Sequence, residues 1–411
     1  MAVPAADVKT SNAPVALTPQ QALDSAVALR PLLVEQAADT EQRSFHSEEL
    51  HLQFVESGYY HMLRPKMFGG YEFGVADYMR VIRELARGDM GTAWCLCLAS
   101  GHNLQFASWW PERAQREVYG DGHFAAAMTS APGGTMRRTA DGWAIEGAFP
   151  YASGGPYSTH FMGHVFARTE GSAEAGPLST FIVPRSEFTI RDDWGKTLGL
   201  RGSGSHTLDV RDVTVPEHFV LYGKEQVSMN VDEGTPGLEL HKNPLYGGRG
   251  VGFFGLELAT LAVGGVHAAL DEYEQILRTK RTPLPPFTLR AANLRYQTWY
   301  ADIVTALDAA DATLDRVADL FLEYATRGAE GGRPFSAAED LALTRLAAQA
   351  QNTAWRALEL IMRTAGSSAA VQGTRLERIW RDATMVIGHQ ASIVQDFVGA
   401  DYAAAVLQAS N

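Results

Sequence analysis

The stretch GYYHMLRPKMFGGYEFGVADYMRVIRELARGDMGTAW, residues Gly58–Trp94, combines glycine breaks with an apolar helical pattern. Gly58, Gly69 and Gly70 interrupt the chain, and apolar residues then recur at helical spacing. The same pattern continues through CLCLASGHNLQFASWWP. We therefore predict helices separated by short glycine breaks over this part of the chain.

Upstream of this stretch, Thr18 precedes the apolar-periodic run PQQALDSAVALRPLLVEQ in the position of an N-cap. The residues before it are rich in Ala and Pro, and they predict a mobile tail over 1–17. An N-terminal helical domain is expected over 18–122.

The middle of the chain changes character. GWAIEGAFPYASGG, STHFMGHVFART, LSTFIVPR and HTLDVRDVTVP are short, partly alternating runs rich in β-forming residues. Gly, Pro and Asp separate them, as expected of strands joined by turns. These runs predict an antiparallel β domain over 123–235.

Long helical patterns return over 236–411, which is expected to form a C-terminal four-helix bundle. The predicted helices are about Gly252–Arg278, Leu289–Arg327, Ala337–Thr364 and Leu376–Gln408. The order helical, β, helical predicts an α+β fold, in which helices and strands occupy separate regions of the chain.

Composition excludes several classes of partner. The chain has 411 residues, 46% hydrophobic residues and a net charge of −12, without a basic block, so nucleic acid is not expected. The most apolar run, VGFFGLELATLAVGGVHAAL, is interrupted by Glu257 and His267, so we predict a core helix and no membrane span. The N-terminus lacks the basic and apolar segments of a secretion signal.

The two cysteines, Cys95 and Cys97, lie two residues apart on a predicted helix and point in different directions. No Cys or His stands at ligand spacing from them, so no metal site is predicted. Free thiols suit a reducing compartment, and we expect a cytoplasmic protein.

A histidine interrupts the apolar face of the last helix, in RIWRDATMVIGHQASIVQDF. Ile379, Val386, Ile393 and Phe397 recur at the spacing of one helix face, and His389 lies on that face. The sequence alone leaves two interpretations open. His389 is a packed core residue, or this face is the wall of a reaction site.

Motifs in all three regions together resemble the acyl-CoA dehydrogenase fold, from about residue 18 to the end. The stretch Gly58–Trp94 resembles its N-terminal helical segment, and GWAIEGAFPYASGG its flavin-side β segment. WGKTLGLRGSGSHTLDVRDVTVP is similar to the strand pair that ends its β domain. ALDEYEQILRTKR and GTRLERIWRDA are similar to its first and last C-terminal helices.

At one position the sequence departs from the pattern of the acyl-CoA dehydrogenases. Many acyl-CoA dehydrogenases place a catalytic glutamate shortly after this Arg-Asp-Ala, whereas Gln390 stands at that position here. An amide cannot accept a proton from carbon. Glu257, Glu272 and Glu274 keep open the alternative of a dehydrogenase with its base on another helix.

The substitution resembles instead the two-component flavin-dependent monooxygenases of this fold, such as the oxygenase component of p-hydroxyphenylacetate hydroxylase. That branch has a histidine in the last helix, here His389, and a second histidine after a GD-x-S-x-A-W-like motif. GDMGTAWCLCLASGH has Gly91 in place of the usual Ser and ends at His102. FPYASGG supplies the serine of the β segment, Ser153.

The resemblance implies a role for each of these residues. His389 would stabilise a C4a-hydroperoxyflavin or help its protonation. His102 would be a base or hydrogen-bond partner for a substrate hydroxyl. Ser153 would hydrogen-bond flavin N5, although an ordinary turn serine is the alternative.

Further cofactor contacts follow from the same resemblance. Thr129 and Ser130 match the segment that lines the isoalloxazine, and Lys280 and Arg281 match a basic helix end that meets flavin phosphate, often across a subunit interface. Trp94 and Tyr151 would form an aromatic wall of the flavin site.

The predicted function is the oxygenase component of a two-component flavin-dependent monooxygenase. It would use reduced FMN (FMNH2) or FADH2 from a separate reductase, with O2, to hydroxylate a small aromatic molecule, in particular a phenol. A homotetramer is expected from the fold. An acyl-CoA dehydrogenase with a non-standard base and a non-catalytic flavin-binding scaffold are the alternatives.

Overall fold

The computed structural model describes residues 17–120, 122–168, 175–225, 229–393 and 395–408. Apart from Leu17, the predicted tail lies outside these residues. Both ends of the described chain are helical and the middle is a sheet, so the predicted fold class is confirmed. The helices are α1 (Pro19–Arg43), α2 (Glu48–Glu56), α3 (Val75–Gly88), α4 (Met90–Trp109), α5 (Glu112–Tyr119), α6 (Pro236–His241), α7 (Val251–Thr279), α8 (Leu294–Ala329), α9 (Ala337–Ala365), α10 (Arg375–Ile387), α11 (Gln390–Ile393) and α12 (Gln395–Gln408).

The N-terminal helices begin where the sequence supplies caps. Thr18 and Gln21 form a capping box at the start of α1, and the Asp89 carboxylate accepts a hydrogen bond from the Thr92 amide at the start of α4, at 2.9 Å. α4 is buried along nearly its whole length. It therefore forms the centre of the N-terminal part.

Seven strands form one mixed sheet in the order β5-β6-β2-β1-β3-β4-β7. The prediction of an antiparallel sheet is therefore wrong for one pair: β1 and β3 run parallel, because the chain between β2 and β3 crosses to the other side of β1, and the other pairs are antiparallel. The strands are β1 (Ala126–Thr139), β2 (Gly142–Phe149), β3 (His160–Arg168), β4 (Ala175–Pro184), β5 (Thr189–Ile190), β6 (Leu208–Val215) and β7 (Val220–Leu221).

The C-terminal bundle is built around α7, which packs against α3, α8, α9 and α10. In length and composition α7 could cross a membrane, but 78% of its most apolar window is buried inside the protein. The predicted core helix is thus observed.

The last predicted helix is wrong in one respect. It does not continue from Leu376 to Gln408, because α10 ends at Ile387 and Gly388 and His389 separate it from α11. The Gly388 amide bonds back to the Thr384 carbonyl at 3.1 Å and closes the helix. His389 therefore lies in a helix break and not on a continuous helical face.

Two apolar cores support these layers. The larger core fills the space among α1, α3, α4, α7, α8, α9 and α10, and the smaller one lies under the sheet. The C-terminal end of α4 enters the smaller core through Phe106 and Trp109, and Phe254 of α7 packs against it. α4 and α7 thus connect the helical core to the sheet.

α10 joins the three parts of the chain through one face. The Arg381 guanidinium binds both carboxylate oxygens of Glu41 on α1, at 2.7 and 3.0 Å, and the Leu198 carbonyl of the β region, at 3.1 Å. Although burial opposes it, the hydrogen bonds and charges of Arg381 and Arg378 lower the pKa of Glu41. The carboxylate is therefore ionised over the neutral range.

Asp382, next on α10, is buried beside the same contact. Its Oδ1 accepts a hydrogen bond from the Leu200 amide at 2.6 Å. Burial, reinforced by the carboxylate of Asp89, raises the pKa of Asp382 to about 8. At pH 7 the side chain is mainly a neutral acid.

We expect Asp382→Asn to become more stable relative to wild type as pH rises from about 4 to about 8. In this window the folded wild type keeps a proton that the unfolded chain has released, so its free energy of unfolding falls with pH. The variant lacks this pH-dependent loss of stability, and its Asn Oδ1 can still accept the hydrogen bond from the Leu200 amide. The limiting slope is about 1.4 kcal/mol per pH unit, measurable by urea unfolding at each pH.

Asp340→Asn is a matched control, because Asp340 is also buried and accepts the amides of Val251 and Gly252 at 3.2 and 2.7 Å. Burial raises the pKa of Asp340 only to about 6, so its stability difference should level off near that pH. A pH-independent difference for Asp382→Asn between pH 5 and 8 would contradict the assignment.

Candidate active site

Leu98 is less buried than any other residue of α4. Every residue of α4, which is described throughout, is buried except Leu98. Trp94 and His102 lie one turn before and one turn after Leu98 on the same face. The rise of the helix separates their Cα atoms by about 12 Å. On this face an indole and an imidazole thus lie on either side of Leu98 along the helix.

Trp94 is held by a row of hydroxyl groups from the β region. Its Nε1–H donates to Ser153 Oγ at 2.9 Å, and Ser153 Oγ lies 2.8 Å from Ser205 Oγ. Ser205 Oγ is in turn 2.7 Å from Ser203 Oγ. The structure therefore brings together two predicted residues, Trp94 and Ser153, and adds Ser203 and Ser205, which the sequence analysis missed within GLRGSGSH.

The loop that presents Ser153 requires a glycine beside it. Gly154 has φ +76, and a Cβ there would lie 3.0 Å from the Cys95 carbonyl oxygen of α4. The loop can approach α4 this closely only because Gly154 has no side chain. Its neighbour Tyr151 is 65% exposed and packs edge-on against Trp194. Tyr151 therefore packs on Trp194 and is otherwise largely exposed to solvent.

The ring of His389 also contacts the indole of Trp94. The rings of Trp94 and His389 are 5.5 Å apart at 62°. Burial lowers the pKa of His389 below its usual value, so the imidazole is neutral at pH 7. Both predicted catalytic groups at this end, Ser153 and His389, thus contact Trp94.

His102 is fixed in one tautomer at the other end of the face. Its Nδ1 donates to the Ala126 carbonyl of β1 at 2.7 Å, which leaves the lone pair on Nε2. Burial lowers the pKa of His102 to about 4. Its ring lies 5.9 Å from that of Phe254 on α7. His102 is therefore a neutral hydrogen-bond acceptor and a weak base.

Thr129 and Ser130 face in different directions on β1. Thr129 is buried, and its Oγ1 has no hydrogen-bond partner among the described residues. Ser130 is exposed. A buried hydroxyl without a partner costs free energy, so Thr129 Oγ1 suits a ligand. This orphan hydroxyl and the serine row fit a group with polar ring atoms such as a flavin.

Lys280 and Arg281 lie far from these residues along the chain. Both are exposed at the end of α7, and Arg281 Nη1 donates to the Phe287 carbonyl of its own loop at 2.6 Å. Phe254 and Lys280 are separated by about 39 Å along the helix. The basic pair is not brought to the α4 face within one chain.

The three alternative bases have other partners. Burial raises the pKa of Glu257 far above its usual value, and its carboxyl group contacts Cys97 Sγ at 3.6 Å. Glu272 binds Arg375 at 3.0 Å, and Glu274 accepts from Tyr300 at 2.7 Å. Burial therefore favours the protonated form of Glu257, and the other two carboxylates are bound to Arg375 and Tyr300. Among the described residues, no cluster of three or more His, Cys, Asp or Glu side chains could hold a metal ion.

Two family models match the chain. "Acyl-CoA dehydrogenase, N-terminal domain" matches residues 27–120, and "Acyl-CoA dehydrogenase, C-terminal domain" matches residues 256–393. Together the two matches cover more than half of the sequence. The first includes the whole of α4, and the second includes α7 from residue 256 onward and His389.

Several relatives of this chain are named as oxygenases. The "Flavin-dependent monooxygenase, oxygenase subunit HsaA" of Rhodococcus jostii (strain RHA1) is 28% identical over 370 residues, 87% of this chain and 90% of the relative. The "FADH(2)-dependent resorcinol hydroxylase, oxygenase component" of Rhizobium sp. (strain MTP-10005) is 27% identical over 355 residues, 83% of each chain.

Among solved structures, "XiaF from Streptomyces sp. in complex with FADH2 and Glycerol" superposes with a TM-score of 0.85. The match covers 95% of this chain and 96% of that one at 23% identity. At this identity the likeness establishes a shared fold.

Proposed function

The chain belongs to the acyl-CoA dehydrogenase family, and we propose that it is the oxygenase component of a two-component flavin-dependent monooxygenase. The names of its relatives support the enzyme class and the use of reduced flavin, FMNH2 or FADH2, with O2. The observation that supports it most directly is the α4 face, where two neutral imidazoles flank Leu98 and Trp94. The family expected from the sequence is confirmed.

The substrate we propose is a small phenol bound over Leu98. Its hydroxyl hydrogen would be donated to Nε2 of His102, the acceptor fixed by the bond from Nδ1 to Ala126. A pKa of about 4 makes His102 better suited to orienting a phenol than to removing its proton. The resorcinol hydroxylase among the relatives acts on a phenol by its name, which supports this class.

A bound reduced flavin would supply two electrons to O2, so that one oxygen atom enters the ring and the other leaves as water. Thr129 and Ser153 would hold it through their hydroxyl groups, since Thr129 Oγ1 is buried without a described partner. His389, neutral beside Trp94, would donate a hydrogen bond to oxygen at that end of the face. Leu98 and Trp94 would exclude water.

The runner-up, an acyl-CoA dehydrogenase, lacks support from the carboxyl groups. Its reaction needs an ionised base, whereas burial raises the pKa of Glu257 and disfavours its ionised form. Glu272 and Glu274 are bound to Arg375 and Tyr300. The expected loss of a base at Gln390 is therefore not compensated at these three positions.

The assembly we propose is a homotetramer in which Lys280 and Arg281 reach the flavin phosphate of a neighbouring subunit. The loop after the basic pair exposes apolar side chains, and Leu284 is 74% and Phe287 58% exposed. Exposed apolar patches of this kind mark interfaces. A separate reductase would deliver the flavin, and the free buried thiols of α4 support a cytoplasmic location.

We expect the protein to incorporate one atom of 18O2 into a simple phenol when reduced FMN or FAD is supplied by an unrelated reductase. His102→Asn should lower kcat/KM for the phenol by roughly 10 to 100-fold, because Asn Nδ2 can replace the donor to Ala126 but offers no acceptor at Nε2. Mass spectrometry of the product and initial rates provide the measurement.

Thermal unfolding of His102→Asn serves as the control for the retained bond to Ala126. Absence of labelled product across a panel of phenols, together with flavin bleaching by an acyl-CoA, would favour the dehydrogenase. Absence of both reactions would favour the remaining alternative, a non-catalytic flavin-binding scaffold.

We expect His389→Ala to uncouple oxygen consumption from hydroxylation. Without the imidazole beside Trp94, the product formed per O2 consumed should drop roughly 10-fold, with a matching rise in H2O2. Oxygen electrode traces and peroxide assays measure both quantities. His218→Ala, at the distant contact with Glu117, should leave coupling unchanged. Wild-type coupling in His389→Ala would rule out this role.

We expect the double variant Leu284→Asp/Phe287→Asp to dissociate the tetramer, because two carboxylates would be buried without partners at the interface. Sedimentation velocity gives the mass of the assembly. Val27→Asp, at a 43% exposed apolar residue of α1, is the control and should remain a tetramer. A monomeric wild-type protein would contradict the proposed assembly.

A further inference from the structure

We propose that His164 is a positioning residue for the flavin: its imidazole holds the bulge of β1 that presents the hydroxyl of Thr129 to the cofactor. This inference rests on the proposed function, which places the flavin at Thr129. His164 itself lies on β3, the neighbouring parallel strand.

β1 is irregular where the candidate cofactor residues occur. Met128 pairs with Met162 and Gly134 pairs with Val165, so β1 advances six positions while β3 advances three. The extra residues form a bulge, which redirects side chains relative to a regular strand. Thr129 is buried within it, and the next residue, Ser130, is exposed.

The imidazole of His164 bonds to the backbone inside this bulge. Its Nδ1 donates to the Thr129 carbonyl oxygen at 2.8 Å, and its side chain is almost fully buried, with 1% exposure. Burial lowers the pKa of His164, so the ring is neutral and Nδ1 carries its single proton. The bond fixes the carbonyl of Thr129, and with it the direction of the Thr129 side chain.

The rest of the imidazole has no such partner. His164 Nε2 is buried and has no hydrogen-bond partner among the described residues. A buried unpaired nitrogen costs free energy that an apolar side chain would avoid. The donor at Nδ1 is thus the contribution that a leucine of similar volume could not make. Thr129 Oγ1, also unpaired, is left available for the ligand.

Three substitutions of His164 distinguish the effect of the hydrogen-bond donor at Nδ1 from the effect of the volume of the ring. Asn places an amide N–H near the position of Nδ1, Gln places it near Nε2, and Leu offers no donor. We expect His164→Asn to bind oxidised FMN or FAD with nearly wild-type affinity. His164→Gln and His164→Leu should bind on the order of 10-fold more weakly. Quenching of flavin fluorescence on titration gives the dissociation constants.

Hydrogen exchange of the flavin-free protein supplies a second measurement. In His164→Leu the amides of Ser130, Ala131, Gly133 and Gly134 should exchange faster than in wild type, and His164→Asn should restore their protection. Equal flavin affinity in all three variants, or equally weak binding by Asn and Leu, would overturn the proposal.

Thr180→Val is the matched control. Thr180 is the cross-strand partner of His164 on β4, and its Oγ1 donates to the Lys224 carbonyl at 2.9 Å. This variant removes a comparable side-chain to backbone bond without touching β1. It should lower thermal stability and leave flavin affinity unchanged. Flavin binding is measured without turnover, so a failure of the proposed hydroxylation would be seen separately.

Discussion

Three parts of the chain meet at the guanidinium of Arg381, and the site depends on this contact. Glu41 comes from the N-terminal helices, Leu198 from the β region and Arg381 from the last bundle helix. A partly buried ion pair adds little net stability, but removal of one partner is costly because the other charge remains. The contact therefore fixes relative position more than it adds stability. Since His389 follows two residues after the end of α10, its place beside Trp94 follows from this anchor.

Local patterns in the sequence predict the helices well. The pattern predicts α7 at about Gly252–Arg278 and it spans Val251–Thr279, because a helical pattern without proline ends at a proline-rich turn. The last helix was expected to continue through His389, and it breaks at Gly388. A single glycine in a helical pattern is tolerated or ends the helix according to its tertiary contacts, which the local pattern does not contain.

The sequence predicts which residue types form the site, but it does not predict their tautomers, pKa values or hydrogen-bond partners. The sequence identified His102, Ser153 and Trp94 as candidates, and the structure places Ser153 against Trp94. The tautomer of His102 depends on the Ala126 carbonyl, 24 residues away, and its lowered pKa depends on burial. Ser205 was missed because only the folded loop brings it to Ser153. These properties arise from non-local contacts, and spacing along the chain does not report them.

The row of hydroxyl groups behind Trp94 has no fixed polarity. Each serine can donate or accept, so the hydrogens of Ser153, Ser205 and Ser203 can all reverse while the oxygen atoms stay in place. The nitrogen that Ser153 would face accepts a hydrogen bond in an oxidised flavin and donates one in a reduced flavin. The row could therefore satisfy both redox states by hydroxyl rotation alone. Little structural reorganisation would then accompany each catalytic cycle at this position.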